Sequence, residues 1–409
     1  MHRRAFLSLA TLLTSAVAER AAAVELAELR KRGVLRVGTS GDYAPFSRSA
    51  DGRRSGLDIE LSELLATDLG VKVEYVSFTW PELMARMDKG AFDVVASGVT
   101  MRADRLLFGC FTRPYAITGA VAAVLRTSTA RFRTVADLDQ AGVRIAVNSG
   151  GHLERVARTK FPHAALDVVE KNESLFARVA TKAADAVISD SAEARTGAGE
   201  DLAVLGPFSH DRKAFYVPLD AAPLARFIDQ WIFRHEADSV LQKLRRKWLG
   251  SPDPVLFHPH LEAVTADIEL RFQVMPSVAA AKRAMGATVE DRAQEARVLE
   301  RARDLAKEAA LDPKSLEALY GVLSRAAKVI QLAPVFPASP TVTLAALRDV
   351  IARIDEHLVA CLKTAAPRVP ASDWQAGVLD GIRSEVLPKE LLRELATALA
   401  GVHRVQARG

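Results

Sequence analysis

The sequence predicts a two-lobed α/β domain followed by an all-α helical bundle, and three observations carry that prediction. From about Val34 to Leu249, short apolar strands alternate with helical patterns in two successive runs. The stretch Pro114–Leu125 joins the runs. From about Pro259 onward the strand signal stops and helical periodicity alone remains. A chain of 409 residues is also too long for one ordinary core, so separate domains are expected.

The first run reads as strand Val34–Gly38, helix Leu57–Leu69, strand Val71–Val76, helix Trp80–Asp88 and strand Phe92–Ala96. The second reads as strand Val143–Val147, a helix from His152, strand Leu166–Val169, a helix from Ser174 and strand Ala184–Ile188. Two such runs make two lobes with a cleft, and ligands are expected at the carboxyl ends of the strands. In the bundle, a helix over Leu261–Ala284 is expected to bend near Pro276, and a second covers Val289–Leu311. Its residues Leu299, Ala302 and Leu305 recur at helical spacing. Asp312 followed by Pro313 signals an N-cap and a first-turn proline, opening a third helix to Leu332. A loop with Pro334, Pro337 and Pro340 precedes a fourth helix over Leu344–Ala365, and more helix fills Trp374 to Val402.

Nearly half the residues are apolar and a quarter charged, as in globular proteins. The formal charge of +5 includes Arg3, Arg4 and Arg20 of the N-terminal segment. The remaining Lys and Arg are scattered, which argues against nucleic acid and for small anionic ligands. His2-Arg3-Arg4 precedes an apolar run from Ala5 to Ala18, with small-residue cleavage sites at Ala16-Val17-Ala18 or Ala21-Ala22-Ala23. This is a signal peptide over residues 1–23. Arg3-Arg4-Ala5-Phe6-Leu7 resembles a twin-arginine signal, but the general secretory route is favoured. No later segment is long enough to span a bilayer, so an exported, periplasmic protein without membrane contact after signal removal is expected. The domains then cover 24–254 and 255–409. Cys110 and Cys361 fall in different domains and read as unpaired thiols. The nine His show no metal-ligand spacing, His258-Pro259-His260 reading as a boundary loop, so neither metal nor cofactor is expected.

Asp190 and Glu193 stand three residues apart where a buried strand runs into a helix. One acid there suffices to hold a ligand amino group. A second acid, if kept dry, holds its proton and can act as a general acid near neutral pH. The alternative for Glu193 is a carboxylate serving only the helix dipole. Arg105, shortly after Ser97-Gly98-Val99-Thr100, is placed to clamp a ligand carboxylate or to lie solvated. Trp80 either walls the pocket or packs the core. Asn148-Ser149-Gly150-Gly151 ends a strand and opens a helix, fit to cradle an anion, or Asn148 is a turn residue. Lys213 either meets an anion or sits on the surface.

Gly41-Asp42-Tyr43-Ala44-Pro45-Phe46, Gly56-Leu57-Asp58, Thr79 to Met84, Ser97 to Thr100 with Arg105, and Pro114-Tyr115 together resemble the periplasmic solute-binding fold of the amino-acid type, over residues 30–250. The first of these, with Thr79-Trp80-Pro81, Val147-Asn148, Gly150-Gly151 and Asp190 to Arg195, further resembles cyclohexadienyl dehydratase, the catalytic branch of that fold. The resemblance implies cofactor-free conversion of prephenate to phenylpyruvate, or arogenate to phenylalanine. It implies Glu193 as general acid, with Asp42, Trp80, Ser97, Thr100, Arg105, Asn148, Asp190 and Lys213 binding substrate. The competing expectation is a non-catalytic receptor for amino or keto acids, which has no use for Glu193.

The second domain resembles the secreted gamma class of helical chorismate mutases over about 258–405. The similarity rests on Glu269-Leu270-Arg271, Val278 to Lys282, Val289-Glu290-Asp291, Leu311-Asp312-Pro313 and Arg348. It implies Arg271 and Arg348 as carboxylate clamps, Lys282 and Gln331 facing the ether oxygen of chorismate, and Asp291 in the binding site. Two departures weaken the pattern. Gln294 stands where an arginine is usual, with Arg297 or Arg292 as substitutes, and Ala327 stands where Ser or Thr is usual. Each lost contact to a charged group costs about 1–3 kcal/mol. Such bundles commonly dimerise, so a homodimer through the helical domain is expected.

Overall fold

A computed structural model describes residues 26–170, 175–250, 257–333, 342–382, 384 and 386–405. The expected signal peptide, the helix start at Ser174, the boundary at 254/255 and the prolines of the 334–340 loop lie outside the described residues. The chain forms two compact units. One comprises the residues up to Thr100 and Phe108–Val255, the other Met101–Leu107 and Leu256–Gly409.

In the first unit, one lobe is built on a five-stranded sheet ordered Lys72–Ser77, Val34–Thr39, Val94–Val95, Tyr216–Pro218, Gly109–Phe111. The first three strands are parallel, and Tyr216–Pro218 is antiparallel to both its neighbours. Val37, Val94 and Val217 pack with Leu57, Leu61 and Leu65 of the Leu57–Leu69 helix and with Trp231. The second lobe orders its strands Ala165–Val169, Arg144–Asn148, Ala186–Asp190, Ala120–Leu125, Leu202–Leu205. Its central strand Ala186–Asp190 is buried along its whole length, so Ala186, Val187 and Ile188 are apolar without alternation and Ser189 and Asp190 are buried polar residues at its end.

The chain crosses between the lobes twice, and the crossovers pair as antiparallel strands Ala116–Thr118 and Asp211–Lys213. Gly150, on the second lobe, has φ +71°, and a Cβ there would lie 2.6 Å from Cγ of Pro81 on the first. Glycine is therefore required where the lobes meet.

The predicted helix Trp80–Asp88 divides into a 3₁₀ turn, Trp80–Glu82, and a helix, Leu83–Asp88. Thr79 and Glu82 form a reciprocal capping box around Pro81, which fixes that start. The strand expected over Phe92–Ala96 contracts to Val94–Val95, and among the described residues the helix expected from Ser174 is regular over Ala177–Ala180.

The helical unit contains Pro259–Ala284, Arg292–Ala309, Pro313–Leu332, Leu344–Ala365, Ala371–Gly381 and Lys389–Ala400. The first is continuous through Pro276. Asp291, Asp312 and Thr343 each cap the following helix with a side-chain oxygen. Val264, Ile268, Leu319, Leu323, Leu358 and Leu362 are among its buried core residues. Close approach is enforced at Gly377, where a Cβ would lie 2.2 Å from Leu261. The last stretch, expected as helix from Trp374 to Val402, forms two helices, the second of which has Pro388 as its N-cap.

Candidate active sites

The first site is organised by Lys213. This residue lies on a crossover strand, is 1% exposed, and donates to Thr100 Oγ1 at 2.8 Å and Tyr43 Oη at 3.2 Å. It also pairs with Asp190 Oδ2 at 3.1 Å. The reading of Lys213 as a surface lysine is thereby excluded. Its ammonium lies 5.5 Å and 5.6 Å from the rings of Tyr43 and Phe46, adding cation–π attraction to the ion pair.

Asp190 ends the Ala186–Asp190 strand and caps the Ser191–Gly197 helix. Its Oδ1 accepts from Ala192 N at 2.8 Å and its Oδ2 from Thr118 Oγ1 at 2.5 Å. The carboxylate expected to hold a ligand amino group is thus met by a helix end, a hydroxyl and a lysine. Glu193, one turn further, is 8% exposed and accepts from Ser189 Oγ at 2.5 Å. Burial, followed by the charges of Asp190 and Glu193, holds the Tyr43 hydroxyl well above the ordinary tyrosine range. Tyr43 therefore remains a neutral hydrogen-bonding group beside two acids.

The other expected residues are placed as follows. Trp80 is half-buried and meets Tyr43 edge-on at 5.9 Å, so it both packs the core and approaches the site. Ser97 is fully buried and tied to Ser40 N at 3.0 Å and Ser47 Oγ at 2.6 Å, which makes it a strut of the first lobe. Asp42 is half-buried on the short strand Asp42–Tyr43. Asn148 ends the Arg144–Asn148 strand with a buried Oδ1 that has no hydrogen-bond partner among the described residues. Arg105 is buried on the 3₁₀ segment Ala103–Leu107, which groups with the helical unit, so the solvated reading fails for it.

Four residues escaped the sequence reading. Tyr43 and Asp58 lay inside quoted motifs but were not singled out. Asp211 stands two residues before Lys213 on one strand, so both side chains share a face. Burial raises its carboxyl, but His152 at 3.0 Å and Lys213 outweigh that and bring it down to about 2. Asp58 receives Gly98 N–H at 2.5 Å and the Tyr115 hydroxyl at 2.7 Å, yet burial dominates and pushes it up to about 7. His152, at the head of its helix, is recognisable only through Asp211.

The second site lies in the helical unit. Arg271 is buried, donates through Nε to Asp355 Oδ1 at 3.1 Å, and lies 5.9 Å from the Tyr320 ring. Its Nη1 has no hydrogen-bond partner among the described residues. Burial raises the Asp355 carboxyl, opposed by Arg271. Asp355 and Tyr320 were not anticipated; an acid beside Ile354 on an otherwise apolar stripe was the available signal. Gln331 donates to Met275 Sδ at 3.6 Å, and its buried Oε1 has no partner among the described residues.

Lys282 is buried and donates to Val289 O at 2.9 Å. Burial lowers its pKa; Arg348 acts in the same direction, and Asp291 and Glu295 oppose both. Lys282, Asp291 and Arg348 are thus electrostatic neighbours. Arg348 is largely exposed, 4.0 Å from Asp291. Asp291 caps its helix through Gln294 N at 2.9 Å. Gln294 Oε1 accepts from Arg297 Nη2 at 2.8 Å, so the two candidates for the missing clamp are bonded to each other.

Two α/β lobes joined by paired crossovers, with a buried lysine meeting groups of both lobes, define the class of solute-binding proteins. The chain belongs to the bacterial extracellular solute-binding proteins, family 3, whose family model matches residues 35–251. A second family model, chorismate mutase type II, matches residues 262–332. Cyclohexadienyl dehydratase of Pseudomonas aeruginosa is 34% identical over 230 residues, covering 55% of this chain and 85% of that protein. The L-cystine-binding protein TcyJ of Escherichia coli is 27% identical over 231 residues, covering 55% and 86%. The crystal structure of an ancestral amino acid-binding protein, a precursor of cyclohexadienyl dehydratase, aligns with TM-score 0.53 at 34% identity over 55% of this chain and 99% of that one. The resemblance of the two-lobed unit is therefore found, and that of the helical unit is found as chorismate mutase type II over residues 262–332. Among the described residues, no helix is long and apolar enough to cross a membrane.

Proposed function

We propose that this chain is an exported bifunctional enzyme catalysing consecutive reactions. The helical unit rearranges chorismate to prephenate, and the two-lobed unit converts prephenate to phenylpyruvate. Arogenate, yielding phenylalanine, suits the same chemistry. One juxtaposition supports this most. Glu193 is an acid beyond what ligand holding requires, it follows the Asp190–Lys213 pair by one turn, and it stands on a chain that also carries a chorismate mutase segment.

In the dehydratase step the bond to the ring carboxylate breaks and CO2 leaves. The electron pair enters the ring, and the ring C–O bond breaks as the hydroxyl takes a proton from Glu193 and departs as water. The gain of aromaticity drives both losses. Ser189 fixes the Glu193 carboxyl, Lys213 supplies positive charge between the lobes, and Asn148, Thr100 and Trp80 complete the substrate contacts. The mutase step needs no acid, base or nucleophile, only a compact dianion and charge stabilisation at the ether oxygen. Arg271 and Arg348 hold carboxylates, and Lys282 and Gln331 face the oxygen. Gln331 is neutral and serves at any pH.

The functional boundary falls near residue 254, export follows the general secretory route to the periplasm, and the helical unit supports a dimer. The dehydratase assignment is tested with prephenate. The wild-type protein is expected to release phenylpyruvate, and Glu193→Gln to slow this by about 10²–10⁴-fold while ligand-induced thermal stabilisation persists. Stabilisation of the wild-type protein without turnover would identify a receptor instead.

A further inference from the structure

Asp267, His357 and Cys361 form a side-chain cluster that neither proposed reaction uses. Asp267 comes from the Pro259–Ala284 helix, while His357 and Cys361 stand one turn apart on Leu344–Ala365. His357 Nδ1 lies 2.8 Å and 2.9 Å from the two Asp267 oxygens, and Cys361 Sγ lies 3.9 Å from Nδ1 and 4.0 Å from Nε2. One donor atom from each residue falls within 4.8 Å of the other two. Asp267 and Cys361 are buried, whereas the His357 side chain is 22% exposed and gives a path from solvent.

Two chemistries use these residue types. A nucleophilic relay needs the carboxylate on one imidazole nitrogen and the thiol on the other. Here the carboxylate sits on Nδ1, and the sulfur is equidistant from both nitrogens, lying against the ring instead of in line with Nε2. A metal site needs one oxygen, one nitrogen and one sulfur converging on a point, with metal–ligand bonds of about 2.0–2.3 Å and donors roughly 3–4 Å apart. The three donor atoms, within 4.8 Å of one another, come near that arrangement. Thiolate and imidazole together select borderline-soft d-block ions over magnesium or calcium.

We propose that Asp267, His357 and Cys361 bind one divalent cation of the zinc class, with a fourth position left to water. His357 and Cys361 form a His-x-x-x-Cys pair whose third ligand comes from another helix, so no spacing along the chain marks the site. Asp267 stands one turn before Arg271, and His357 two residues after Asp355. The ion thus ties together the same two helices that the Arg271–Asp355 pair joins. Binding requires loss of the thiol proton and of the His357–Asp267 hydrogen bond, so it is competed by acid.

The test uses the untagged full-length chain, dialysed after incubation with Zn²⁺ or Co²⁺. About one equivalent of zinc per chain is expected to remain in the wild-type protein and in Cys110→Ser, falling at least tenfold in Cys361→Ser and His357→Ala. Co²⁺ is expected to give a thiolate-to-metal charge-transfer band that Cys361→Ser abolishes. Because a variant can fail to fold, alkylation of Cys361 in the wild-type chain provides a second reading. Zn²⁺ should slow it and a chelator should restore it. No retained metal, equal retention in both variants, or unchanged alkylation overturns the proposal.

Discussion

At the scale of single residues, the buried acids of the two-lobed unit divide by environment. Asp211 has His152 and Lys213 beside it and is held at about 2, whereas burial prevails at Asp58 and carries it to about 7. The folded protein therefore binds a proton at Asp58 more tightly than the unfolded chain does. Such a group makes stability fall as pH rises from about 4 to about 7, with the full penalty present above the folded pKa. Asp58→Asn lacks this dependence. Urea unfolding at pH 4 and pH 8 should show the wild-type protein losing roughly 4 kcal/mol relative to the variant over that interval. A constant difference between the two proteins would place the Asp58 carboxyl in its ordinary range. Glu193, Asp190 and Lys213 were legible as candidates because the strand-to-helix junction and the motif order pointed to them. Tyr43, His152 and Asp211 were not, since their roles depend on neighbours far along the chain.

At the scale of elements, the Leu57–Leu69 helix agrees with its predicted bounds because glycines stand at both ends. Gly56 has φ +138°, with a Cβ position 2.2 Å from Phe46 O, and Gly70 has φ +74°. The strand Val94–Val95 is shorter than its apolar run suggested, because pairing partners and not hydrophobicity set its length. Asp291 shows a different limit. A residue expected to serve substrate also caps a helix, and periodicity cannot separate the two roles. Gly377 is informative for the same reason, since nothing in the sequence marked it as a packing position. Gly377→Ala forces a methyl group against Leu261 and should lower stability by about 1–3 kcal/mol in denaturant unfolding. An unchanged midpoint would mean that the Ala371–Gly381 helix yields freely.

At the scale of the whole molecule, the chain joins a solute-binding architecture to a chorismate mutase segment. The order of motifs made both halves legible, whereas the grouping of Met101–Leu107 with the helices was not foreseeable from position in the sequence. The product of one proposed reaction is the substrate of the other, which gives the extra carboxyl at Glu193 a task. The most direct measurement supplies chorismate to the intact protein and identifies products over time. Chorismate should disappear, prephenate should rise and then fall, and phenylpyruvate should accumulate. In Glu193→Gln, prephenate should accumulate unconsumed, and in Lys282→Ala chorismate should persist. Chorismate left intact by the wild-type protein, or prephenate formed and never consumed, would contradict the bifunctional assignment.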